Sequence, residues 1–150
     1  AGFILLSVNL GPQPAAPKRP RREKVELATY TLRAYIYQAV NLPIKDKEGT
    51  SDPFVKVDFG SASQCTEIVG ATLNPSWFQV VEQDVQVPEN EALRPDVKLV
   101  VWDKDEEGSQ PMAMVRYSTR ERGALPPHWR GPPRWLSLEP MPGGMPTQAK

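Results

Sequence analysis

Over residues 30–40 apolar and polar positions alternate. Leu32, Ala34, Ile36 and Val40 share one face, and Arg33, Tyr35 and Tyr37 share the other. A period of two is the signature of a strand with one face buried. Residues 54–59 repeat it, with Val55, Val57 and Phe59 set against Lys56 and Asp58. Further β-rich runs occur at 65–69, 77–81, 85–87, 97–102, 112–117 and 135–138. Turn-forming clusters separate them: Lys47-Glu48-Gly49, Asp58-Phe59-Gly60, Leu73-Asn74-Pro75, Arg94-Pro95-Asp96 and Glu107-Gly108. Only residues 89–93 suit a helical turn. Many short strands at this spacing predict an all-β, antiparallel sandwich or barrel.

The flanks read differently. Of 17 prolines, four fall between positions 12 and 20 and seven between 126 and 146. Residues 11–27 also carry Lys18, Arg19, Arg21, Arg22 and Lys24. Proline removes backbone donors and like charges repel, so this stretch is expected to be an extended, solvated linker. Residues 140–150 are expected to form a disordered tail. The core-forming region is then 28–139. Ahead of the linker, the apolar residues 1–10 are expected to supply a first or edge strand, returning across the linker to complete a sheet.

Length and charge narrow the function. A chain of 150 residues suits one domain. Its 18 basic and 18 acidic side chains cancel. Attraction to lipid or nucleic acid must therefore come from local patches, and a nucleic-acid partner is not expected. No apolar run reaches the ~20 residues that cross a bilayer. The single cysteine, Cys65, excludes an internal disulfide, and with the single histidine, His128, it excludes a Cys/His zinc cage. Cys65 is expected to be a buried thiol in a reducing compartment. His128 lies in a proline-rich loop with no neighbouring nucleophile, so the chain is not read as an enzyme.

Two acidic clusters follow strands: Asp46 and Asp52, then Asp103 and Asp105. Carboxylates are hard ligands of the kind calcium prefers, and crowded carboxylates repel one another without a cation. Solvated turn aspartates are the simpler alternative. An EF-hand is excluded, because Met114 stands twelfth in the loop beginning at Asp103, where a bidentate Glu is required.

The order of motifs carries a resemblance. Ala39-Val-Asn-Leu-Pro43, Asp46 and Gly49-Thr-Ser-Asp-Pro-Phe-Val-Lys-Val57 resemble the first calcium-binding loop of a C2 domain. Thr72-Leu-Asn-Pro75 with Trp77 is similar to the family's turn into its central strand. Val100-Val-Trp-Asp-Lys-Asp105 is similar to the start of its third calcium-binding loop, and Arg134-Trp-Leu-Ser-Leu138 to its last strand. Among C2 domains, the wording of 35–53 and 73–79 is most similar to an internal C2 domain of a ferlin.

The resemblance implies an eight-stranded antiparallel Greek-key β-sandwich with calcium-binding loops at one end. It implies calcium ligands at Asp46, Asp52, Asp103 and Asp105, with the backbone of Lys45 and Trp102 assisting. The sequence departs from the family at Pro111, where a fifth acidic ligand usually stands, so binding is expected to be weak. The implied function is calcium-dependent attachment to an anionic phospholipid surface on the cytoplasmic side, within a larger membrane-trafficking or fusion protein anchored outside this segment. Lys18, Arg19, Arg21, Arg22, Lys24 and Lys47 are the candidate headgroup contacts, with a plain solvated linker as the alternative for the first five. Loss of the acidic position favours a second reading, a calcium-independent scaffold for a protein partner or neighbouring domains.

Overall fold

The computed structural model describes residues 24–44, 49–120 and 131–141. The apolar segment 1–10, most of the basic linker and the residues beyond 141 lie outside them. The described residues form β1 (Leu27–Gln38), β2 (Pro53–Phe59), β3 (Ala62–Cys65), β4 (Ser76–Pro88), β5 (Val97–Asp105), β6 (Gly108–Tyr117) and β7 (Glu139–Pro140). A 3-10 turn, Glu91–Leu93, sits where the helical turn is expected. All strand pairs are antiparallel. One sheet contains β1 and β4, and the other runs β3-β2-β5-β6-β7.

The expected alternation is the basis of the core. In β2, odd positions from Pro53 to Phe59 are buried and even ones half-buried. Val55, Val57 and Phe59 meet Val97, Val101, Met112 and Ala113 of the same sheet and Trp77, Val81, Val85 and Val87 of the other. Burial of such side chains stabilises by about 1.5–3 kcal/mol each, which makes this face the main source of stability.

The structure corrects the expected elements in several places. Seven strands, not eight, are formed by the described residues. The runs 77–81 and 85–87 belong to one strand, β4, because Gln83 turns inward between them. Its Nε2 donates to the Val57 carbonyl at 3.4 Å, so a polar residue occupies a core position that the pattern marked as a break. The expected strand 65–69 is displaced to Ala62–Cys65. There the buried Thr66 ends the ladder: its backbone N–H donates to the Val55 carbonyl, and its hydroxyl accepts from the Val55 N–H at 2.9 Å. Cys65 is exposed rather than buried. The expected last strand, 135–138, is replaced by the two-residue β7, and Trp135 is 65% exposed.

At the end of the sandwich away from the acidic loops, Arg94 is buried as a clamp. Its guanidinium donates to the Tyr30 hydroxyl at 2.8 Å and to the carbonyls of Pro88 and Glu89. It also stacks 4.6 Å over the Tyr30 ring. These bonds tie the β4–β5 connection to β1.

Candidate functional site

The acidic end is built where the segment entering β2 meets the end of β5. Pro53 pairs with Asp103, so Asp52 lies just beyond the register of the last β2–β5 pair. The Asp52 N–H donates to Asp103 Oδ1 at 2.7 Å, and the Asp52 carbonyl accepts from the Lys104 N–H at 3.1 Å. Asp52 and Asp103 are thereby fixed side by side through backbone.

Asp103 points inward and has no solvent exposure. Its Oδ1 is satisfied by Asp52, while Oδ2 is buried with no hydrogen bond among the described residues. Burial raises its pKa above the ordinary value; the Asp52 N–H and the nearby Ser51 hydroxyl lower it in part, while the Asp105 and Asp52 charges raise it further. A buried, half-satisfied carboxylate is costly, and a cation is one group that would satisfy it.

The other candidate residues are placed less uniformly. Asp52 Oδ1 accepts from the Ala71 N–H at 2.7 Å, which anchors the segment before β4. Ala71 has φ 54, and a Cβ on the preceding Gly70 would lie 3.5 Å from the same oxygen. Asp105 is half-buried and pairs with Gly108 across a two-residue turn, Glu106-Glu107. The end of β5 is therefore a tight hairpin rather than an open loop. Trp102, whose backbone was expected to assist, is in register with Phe54 on one side and Pro111 on the other. Lys45, Asp46 and Lys47 lie outside the described residues, as do Lys18, Arg19, Arg21 and Arg22. Lys24 is exposed and pairs with Glu26 at 3.0 Å. Among the described residues, no three His, Cys, Asp or Glu side chains converge as a metal cage would require.

One residue at this end escaped sequence reasoning. Val101 pairs with Ala113 but Trp102 pairs with Pro111, so Met112 is the extra residue of a β-bulge. Met112 and Ala113 are both buried as a result. The shift of one brings Gln110, not Pro111, opposite Asp103. Gln110 Nε2 then donates to Asp105 Oδ2 at 3.0 Å, occupying one of the carboxylate oxygens. The signal available in the sequence was only that Gln110 precedes the proline.

Comparison with known proteins agrees with this architecture. Residues 30–137 match the family model described as C2 domain. The chain is 29% identical over 138 residues to Ferlin 1 of Toxoplasma gondii, covering 90% of this chain and 10% of that protein. It is 40% identical over 84 residues to mouse myoferlin, covering 53% of this chain and 4% of that protein. The chain thus spans a small part of these ferlins. Among solved structures, the calcium-bound tandem C2 domains of extended synaptotagmin 2 superpose with TM-score 0.52 at 21% identity, over 61% of this chain and 35% of theirs. A C2 domain of a plant extended synaptotagmin 1 gives 0.51 at 24%, over 67% of this chain and 73% of that one. With its two antiparallel sheets, its acidic strand ends and a family match over most of its length, the chain belongs to the C2 domain family.

Proposed function

We propose that this C2 domain attaches a larger membrane-trafficking or fusion protein to anionic phospholipid on the cytoplasmic side of a membrane, and that weakly bound calcium controls the attachment. The observation that supports it is Asp103: a carboxylate with no solvent exposure, beside Asp52, whose Oδ2 has no partner among the described residues. Asp52, Asp103 and Asp105, with Asp46 from the adjoining loop, would hold the ion, and the backbone of Lys45 and Trp102 would assist. Calcium would supply the positive charge that anionic headgroups seek. The protein's own part is to present the carboxylates at one end of a stiff sandwich. Lys18, Arg19, Arg21, Arg22, Lys24 and Lys47 would add attraction at about 1 kcal/mol per charge near an anionic surface. The likeness to ferlins and to extended synaptotagmins, one solved calcium-bound, supports the same reading. In it the domain is a non-catalytic module.

A second reading, a calcium-independent scaffold for a protein or a neighbouring domain, is favoured by one feature. The hairpin after Asp105 is only two residues long, and Gln110 already binds Asp105. Calorimetric titration of calcium into the chain, with and without phosphatidylserine vesicles, separates the two. Calcium uptake that tightens with vesicles is expected. Heat at background in both titrations would reject the calcium-dependent reading in favour of the scaffold.

A further inference from the structure

The outer face of the small sheet changes character along its length. Its cross-strand neighbours, read from one end, are Tyr37 and Phe78, then Tyr35 and Val80, then Arg33 and Glu82, then Thr31 and Asp84. The first two pairs are apolar and the last two polar or charged. Backbone bonds tie the apolar end to the acidic site. The Ala39 N–H donates to the Pro75 carbonyl, the Thr72 N–H to the Ser51 carbonyl, and the Ala71 N–H to Asp52 Oδ1. Phe78 is 68% exposed and Val80 51%, and Tyr37 is exposed beside them.

The backbone at Phe78 marks this patch as more than stray apolar surface. Two residues of β4, Trp77 and Phe78, oppose the single Tyr37 of β1, which makes a β-bulge. Trp77 turns into the core, and Phe78 is left outside with φ 48, in the left-handed region. That region suits Gly or Asn and is strained for a bulky aromatic residue. The ring adds little to the core, since it meets Tyr37 edge-on at 5.8 Å and otherwise stands in water. Bulges often re-aim a side chain beside a functional site, and local strain gathers at such sites.

We infer that the ridge of Tyr35, Tyr37, Phe78 and Val80 enters the interfacial layer of an anionic phospholipid bilayer, so that the domain docks on this flank as well as on its acidic end. The inference rests on the proposed membrane attachment. Three observations favour a bilayer over a protein partner. The polarity gradient runs along the strands and its apolar end is the acidic-site end, so one plane can meet both. The charges bordering the ridge cancel: Arg33 Nε donates to Glu82 at 2.6 Å, and residues 33–38 and 76–82 hold no other Asp, Glu, Lys or Arg. An anionic surface is therefore not repelled there. Finally, tyrosine rings suit the boundary between headgroups and acyl chains, where the ring is buried and the hydroxyl stays wet. A protruding ring such as Phe78 needs no matching recess in lipid, and binding scales with the apolar area that it buries.

Vesicles of phosphatidylserine and phosphatidylcholine, mixed with the full chain and calcium, test the inference. An environment-sensitive fluorophore on Phe78→Cys, in a Cys65→Ser background, should shift to the blue when vesicles are added. The same dye on Gln86→Cys, at the polar end of the same face, should not shift. Phe78→Asn should weaken co-sedimentation with vesicles roughly tenfold and leave calcium uptake without vesicles at the parental level. It should also raise Tm or leave it unchanged, because Asn accepts the left-handed backbone. Tyr37→Ser should weaken co-sedimentation in the same direction. A parent chain that sediments, with no shift at position 78 and no loss in Phe78→Asn, would overturn the inference and leave the proposed function standing. A parent chain that does not sediment with calcium would reject the proposed function and this inference with it. A fall in Tm for Phe78→Asn would assign the ring to the fold, and a dimeric parent made monomeric by the change would assign the ridge to a second copy. Either result overturns the inference.

Discussion

Replacing Asp103 by Asn separates a structural carboxylate from one kept for a cation. Asn has the same shape, and its carbonyl can still accept from the Asp52 N–H, the 2.7 Å bond that joins the two segments. What changes is the charge and the second oxygen, Oδ2, which is buried without a partner among the described residues. An amide there would point N–H groups toward the acidic neighbours Asp52 and Asp105. Leaving a buried polar atom unsatisfied costs about 1–3 kcal/mol, more when charged. Asp103→Asn is therefore expected to stabilise the calcium-free domain by about 1–2 kcal/mol, a rise in Tm of roughly 3–8 °C for a domain of this size. Thermal unfolding followed by circular dichroism in a chelator reads it directly. Calcium should reverse the order. It stabilises the parent by mass action, and the variant should gain little or nothing.

The pH dependence gives the same test a second axis. Burial holds the folded pKa of Asp103 above its ordinary 3.8, so the native chain keeps this proton longer than the unfolded one. Its contribution to stability falls as pH rises through the window between 3.8 and the raised value. The advantage of Asp103→Asn should accordingly be largest at neutral pH and shrink as the solution is acidified through that window. A variant less stable than the parent at neutral pH without calcium would refute the reasoning, because it would mean that the ionised carboxylate is well satisfied.

Gln110→Asp puts a carboxylate opposite Asp103 and removes the donor to Asp105; calorimetry should show calcium binding tightened severalfold, with a lower calcium-free Tm, and unchanged affinity would place the ion elsewhere. Arg94→Met strips the buried clamp of its bonds to Tyr30, Pro88 and Glu89 and should cost about 2–4 kcal/mol by denaturant unfolding. A loss below about 1 kcal/mol would mean that water replaces the guanidinium without penalty.

The elements that could be read from sequence are those whose pattern is set by burial alone. β1 and β2 alternate cleanly because each has one face on the core and the other turned away from it. The motifs that gave the C2 resemblance lie on or beside β2, β4 and β5, apart from Arg134-Trp-Leu-Ser-Leu138, which precedes β7, and the family match covers the same region. Misreadings occurred where a polar group does a structural task. Gln83 satisfies a carbonyl inside the core, which made one strand look like two. Thr66 substitutes its hydroxyl for a ladder partner, which moved a strand end. At the acidic end, Asp52 and Asp103 are neighbours, the placement that the resemblance implied. That Gln110 faces Asp103 across the hairpin was not legible, because counting residues cannot register an extra one absorbed by a bulge.

The bulge at Met112 also bears on how the domain can change over time. Upstream of Met112 the hairpin tip points at the acidic end, and downstream of it Ala113, Val115 and Tyr117 keep their places on the inner face. Normally a slip of one residue would turn a whole strand inside out. Here the slack is taken up at one point, so the register of the tip can change without shifting the strand beyond Met112. A deletion of one residue between 108 and 112 would remove the bulge and exchange the side chain facing Asp103 without substituting any amino acid, leaving the pairing from Ala113 onward in place while Met112 gives up its core position. Tip length thus becomes an inheritable dial on the acidic end, set against the packing of a single core residue, Met112.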